Sequence, residues 1–184
     1  MGKILEKLYP SIALGAFLAL VVLVAYNRDY VTTADYIGPF FTVLHVLSGI
    51  TWIGLLYYFN LVQTPMMPKI PAELKPGVSK FIAPEALFWF RWSALSTLVT
   101  GLIVYFSGTA MRNHTIETGM TLGLIMAFNV WFIIWPNQKK VLGIVVVDDA
   151  AKAKAARAAL LASRANFVLS IPMLYCMVTA RLVG

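Results

Sequence analysis

IGPFFTVLHVLSGITWIGLLYYFNLV, residues Ile37 to Val62, contains no Asp, Glu, Lys or Arg. A helix on the surface of a water-soluble protein keeps a polar face for solvent, whereas one that crosses a bilayer needs about 20 mostly apolar residues and no such face. Four more stretches meet the same requirement: Pro10 to Tyr26, Ala86 to Ser107, Thr118 to Trp135 and Ala165 to Val183. The whole chain agrees with them. Of its 184 residues 60% are apolar and 12% charged, and the mean hydropathy is +0.78. That is more apolar surface than one soluble core of this size hides, so lipid is the missing partner. The expected fold is all-α, a polytopic bundle of about five transmembrane helices in a single integral-membrane domain over residues 1–184. Lys3 and Lys7 ahead of the apolar run Ser11 to Ala25 have the layout of a signal peptide; we read the segment as a retained first span.

The net charge of +7 does not point to nucleic acid, because the basic residues lie between apolar runs rather than on one surface. There they orient helices and meet anionic lipid. Lys3 and Lys7, then Lys69, Lys75 and Lys80, then Lys139, Lys140, Lys152, Lys154, Arg157 and Arg164 fall in alternate connections, against Arg28, Arg112 and Arg181 in the others. The asymmetry predicts a cytoplasmic N-terminus and an external C-terminus. Pro65, Pro68, Pro71 and Pro76 predict an irregular cytoplasmic loop from Gln63 to Pro84. Between Asn137 and Arg164, acidic Asp148 and Asp149 precede an Ala-rich run that becomes basic, the polarity a helix dipole favours. Whether that helix lies on the membrane or runs on into the fifth span is left open by the sequence. Pro172, inside the fifth span, predicts a kink.

Polar residues inside apolar spans carry the functional signal. Ser48, Gly49, Trp52, Leu56 and Asn60 share a helical face with His45, and Asn166, Ser170, Met173 and Met177 share one on the fifth span. Ser93, Thr97, Thr100 and Ser107 form a polar stripe on the third. Because the second and fourth helices run inward and the third and fifth outward, Asn60, Arg91, Asn137, Arg164 and Asn166 are expected at one depth near the cytoplasmic boundary, with Asn129 about two turns deeper. A guanidinium and several carboxamides in one place supply donors for an anionic or heterocyclic ligand. The competing reading is hydrogen bonding between helices, with the arginines reaching up to headgroups.

His45, about 10 Å below the outer surface at the helical rise, is the candidate haem or metal ligand, completed by a Met, water or another chain, as against a hydrogen-bonded structural imidazole. The other histidine, His114, belongs to an outer loop, so no bis-His pair or multi-His metal site is expected. Cys176 stands alone and no Cys-x-x-Cys-His occurs, which excludes covalent c-type haem and leaves b-type haem as the form open to His45. The five tryptophans, Trp52, Trp89, Trp92, Trp131 and Trp135, are read first as interface anchors. Met66 and Met67 beside prolines are too weak a copper signal to use. Phosphate-cradling glycine loops, nucleophile elbows and paired intramembrane carboxylates are absent from the sequence.

Four stretches in order carry a family resemblance. They are LHVLSGITWIGLLYYFN from Leu44 to Asn60, PEALFWFRW from Pro84 to Trp92, NVWFIIWPNQK from Asn129 to Lys139, and Leu160 to Asn166 continuing to Ser170 and Met173. Together they resemble the urate oxidase N-terminal domain, the membrane domain of bacterial urate hydroxylases. The resemblance implies a redox role on urate or a similar substrate for the polar constellation, in a bacterial inner membrane. In that family the electrons pass to a fused cytochrome c domain. This sequence lacks the haem-attachment motif, which implies a separate acceptor protein or, in the rival reading, a non-catalytic accessory subunit of a larger respiratory, photosynthetic or oxygenase complex.

Overall fold

A computed structural model describes residues 2–31, 36–110 and 112–182. Among the described residues, after a short turn of helix at Gly2–Leu5, five long helices follow: α1 (Leu8–Val31), α2 (Ile37–Lys69), α3 (Lys75–Phe106), α4 (His114–Val141) and α5 (Asp149–Thr179). All five are long and apolar enough to cross a membrane, so the chain is a multi-pass α-helical membrane protein. The expected end of the fifth span at Val183 lies outside the described residues.

Helix α2 packs along α3, and α4 along α5, and the two hairpins close on each other through α2 and α5 and through α3 and α4. The core between them is built from Trp52 and Leu56 on α2, Leu87, Phe90 and Ala94 on α3, Met126, Ala127, Val130 and Ile134 on α4, and Met173 on α5. Trp52 is 1% exposed in that core, which corrects its reading as an interface anchor; Trp89 and Trp92 are exposed. Helix α1 stands apart, with none of its described side chains buried.

The expected loop from Gln63 to Pro84 is a correction too: most of it is helical, and only the bend between Lys69 and Lys75 separates α2 from α3. The helices survive their prolines by widening. A proline in a helix lacks an N–H and its ring crowds the carbonyl of residue i−4. Pro65, Pro84 and Pro136 aim at the carbonyls of Leu61, Lys80 and Phe132, and each of those carbonyls lies inside a π-helical turn, Tyr58–Gln63, Val78–Ile82 and Asn129–Ile134. At the end of each turn an amide reaches back five residues, Thr64 to Phe59, Ala83 to Val78 and Trp135 to Val130. The extra residue per turn makes room for the ring.

Helix α5 settles the question the sequence left open: it runs unbroken from Asp149 through Pro172 to Thr179. The Asp148 side chain caps it, accepting from the Ala151 amide at 2.7 Å. Its 31 residues extend about 46 Å, beyond the roughly 30 Å of hydrocarbon, so its charged first turns reach past the apolar layer. Buried Ala155 and Ala159 keep that projection against the end of α4. At the other end Asn113 caps α4 by accepting from the Ile116 amide at 2.9 Å, and donates from Nδ2 to the Ala180 carbonyl at 2.8 Å.

Candidate functional site

The face of α5 bearing Ser163, Asn166 and Ser170 meets the other helices in a buried polar seam, and helical spacing is why these three lie in line. Asn60 donates from Nδ2 to Ser163 Oγ at 2.9 Å and to the Leu56 carbonyl at 2.8 Å, and Arg164 Nη1 donates to the Asn60 carbonyl at 3.2 Å. One turn further along α5, Asn166 donates to the Met126 carbonyl on α4 and accepts from Asn129 Nδ2, both at 2.8 Å. Ser170 Oγ then lies 3.3 Å from the Tyr57 hydroxyl. Asn60, Asn166 and Ser170 are each at most 1% exposed.

Asn60, Asn129, Asn166 and Arg164 are thus brought together, in two linked groups. Asn129 sits level with Asn166 rather than two turns deeper, because α5 starts at Asp149 rather than at Ala165 and carries Asn166 further in. Arg91 joins neither group. Its guanidinium stacks on the Trp135 ring at 3.9 Å from the centroid, with Phe88 at 5.4 Å, and its carbonyl accepts from Trp131 Nε1 at 3.2 Å. Asn137 turns its Nδ2 back to the Ile133 carbonyl of its own helix at 2.8 Å.

Two acceptors in this region are left without partners among the described residues, Asn60 Oδ1 and Gln63 Oε1, both buried on the same π-helical turn. A buried carbonyl oxygen without a donor is costly and uncommon in native proteins. Sequence reading missed Ser163 and Gln63 here. Gln63 opens the stretch whose prolines predict a loop, and nothing in the sequence distinguishes Ser163 from the small residues around it.

His45 lies toward the opposite end of the bundle, where its Nδ1 is 2.8 Å from the Thr97 carbonyl. The hydroxyl stripe on α3 is bonded within its own helix: Ser93 to the Trp89 carbonyl, Thr97 to Ser93 and Thr100 to Ser96. Ser93, Thr97 and Thr100 are buried, so the stripe lets α2 approach without leaving hydroxyls unpaired.

Fold and seam together define a polytopic helical membrane protein with carboxamides buried between its helices. The family model described as urate oxidase N-terminal matches residues 103–182, from the last turn of α3 through α4 and α5. Asn129, Asn137, Arg164 and Asn166 fall inside the matched span; His45, Asn60 and Arg91 precede it. Comparison with curated proteins and with solved structures gives no match.

Proposed function

We propose that the chain is a membrane oxidoreductase of the urate hydroxylase kind, acting on urate or a similar planar anionic heterocycle and handing electrons to a separate acceptor protein. The observation that carries this reading is the family match over α4 and α5, because it spans the Asn129–Asn166 pair. Hydroxylation of urate by water releases a pair of electrons and a pair of protons, which is why an acceptor is needed. The substrate approaches the end of the bundle where Lys69, Lys75, Lys80, Lys139 and Lys140 gather, drawn by their charge. Arg164 and Arg91 are the guanidinium donors at that end, and the free Asn60 and Gln63 acceptors suit the ring N–H groups of a purine. The lysine and arginine asymmetry supports a cytoplasmic position for this end and for the N-terminus, and in this reading the chain is one integral domain of a bacterial inner membrane. Calorimetric titration of the purified protein with urate tests the site: saturable binding that weakens at least tenfold in Arg164→Ala supports it, and no heat of binding to a folded protein overturns it.

A second reading is favoured by α1, whose described apolar side chains are none of them buried. Here the chain is an accessory subunit of a larger membrane complex and α1 packs on a neighbour. Native purification then recovers stoichiometric partner proteins, whereas a solitary chain argues against it.

A further inference from the structure

Between α2, α3, α4 and α5, in the half of the bundle away from the carboxamide seam, lies a cavity of about 570 Å³ with an overwhelmingly apolar lining. Its size falls in the range of cofactor pockets, roughly 300 to 1,000 Å³. Glycines keep it open. Gly123 on α4 is buried, yet a Cβ added there would meet nothing within 4 Å, so it faces the void. Gly101 on α3 is the converse: a Cβ there would come within 2.8 Å of His45 Cε1, so the imidazole is seated against the α3 backbone.

His45 is the polar group that gives the cavity its chemistry. A carbonyl oxygen accepts only, so the 2.8 Å contact with Thr97 puts the proton on Nδ1. The neutral ring then carries its free lone pair on Nε2, for which the described residues supply no hydrogen-bond partner. A histidine whose one nitrogen donates to a backbone carbonyl while the other is free has the arrangement that orients metal-binding imidazoles. Across the cavity α5 supplies thioethers. Asn60 pairs α2 and α5 antiparallel through Ser163, so His45, fifteen residues before Asn60, falls near the level of residue 178, and His45 and Met177 both line the cavity. Arg181 stands at the rim, a cation placed for carboxylates.

We propose that this cavity holds a non-covalent, b-type haem, with His45 Nε2 as an iron ligand, Met177 as the ligand from the opposite face and Arg181 meeting the propionates. Imidazole with thioether is an established axial pair for haem iron. The site goes beyond the urate reading and does not depend on it, since it lies in the other half of the bundle and is tested without substrate.

The test is a titration of the purified full chain in detergent with hemin, read by its absorption spectrum. A saturable, low-spin Soret band at one haem per chain is expected, lost in His45→Ala and restored to His45→Gly by free imidazole. Gly123→Leu fills the void and blocks uptake while the thermal midpoint holds or rises. Met177→Leu keeps the haem but turns it five-coordinate and able to bind carbon monoxide. A folded wild-type chain that takes up no haem overturns the proposal, as do His45→Ala and Gly123→Leu proteins that bind it like wild type. A Met177→Leu spectrum identical to wild type overturns the assignment of the second ligand.

Discussion

Asn166 uses both ends of its carboxamide on α4, donating to the Met126 carbonyl and accepting from Asn129, while Asn137 bonds only its own helix. That difference predicts different consequences for the same truncation. Interhelical hydrogen bonds in membrane proteins contribute about 0.6 kcal/mol on average and up to about 1.7. Asn166→Ala, which breaks two and leaves the half-buried Asn129 amide without its acceptor, should therefore lower stability by about 1 to 2 kcal/mol. Asn137→Ala should stay within about 0.5 kcal/mol. Reversible unfolding in mixed micelles measures both, and equal losses would contradict the assignment. Gly101→Ala should cost about 1 to 3 kcal/mol by forcing the His45 ring off its seat. His45, Asn60 and Asn166 were legible in the sequence because a polar side chain in an apolar span has few reasons to be there. Their partners were less so. The stacking of Arg91 on Trp135 depends on how α4 is rotated, and the π-helical turn from Asn129 to Ile134 changes that rotation by a residue.

At the scale of elements, all five spans could be read from hydropathy alone, since the lipid requirement is a length and a composition. The ends could not. The prolines after Gln63 look like breakers in the sequence, but Pro65 and Pro84 each follow a π-helical turn that accommodates them, so helix continues where composition predicts loop. Likewise the projecting start of α5 is polar and Ala-rich, and only its cap marks where it begins. Asp148→Ala should remove the hydrogen bond to the Ala151 amide and cost about 1 kcal/mol. Hydrogen exchange should show the first turn of α5 losing protection while residues from Asn166 onward keep theirs. Uniform loss along α5 would mean that the extension and the membrane span unfold as one unit.

For the whole molecule, the lysine and arginine distribution predicts sidedness, and chemical labelling reads it directly. In a Cys176→Ser background, Lys75→Cys should resist a membrane-impermeant thiol reagent in intact cells and react once they are opened, while Arg112→Cys should react in both. The reverse pattern would invert the proposed orientation and move the carboxamide seam to the outer side. Function is the scale least legible in the sequence, because a bundle of this kind is compatible with many chemistries and the family match covers α4 and α5 but neither Asn60 nor Arg91. The most direct measurement is turnover: the purified chain, urate and a soluble one-electron acceptor, followed together in the ultraviolet and visible. Urate should disappear as the acceptor is reduced, with a pair of acceptor molecules reduced for each urate lost. Urate that persists alongside a folded protein, across acceptors spanning a wide range of potentials, would contradict it.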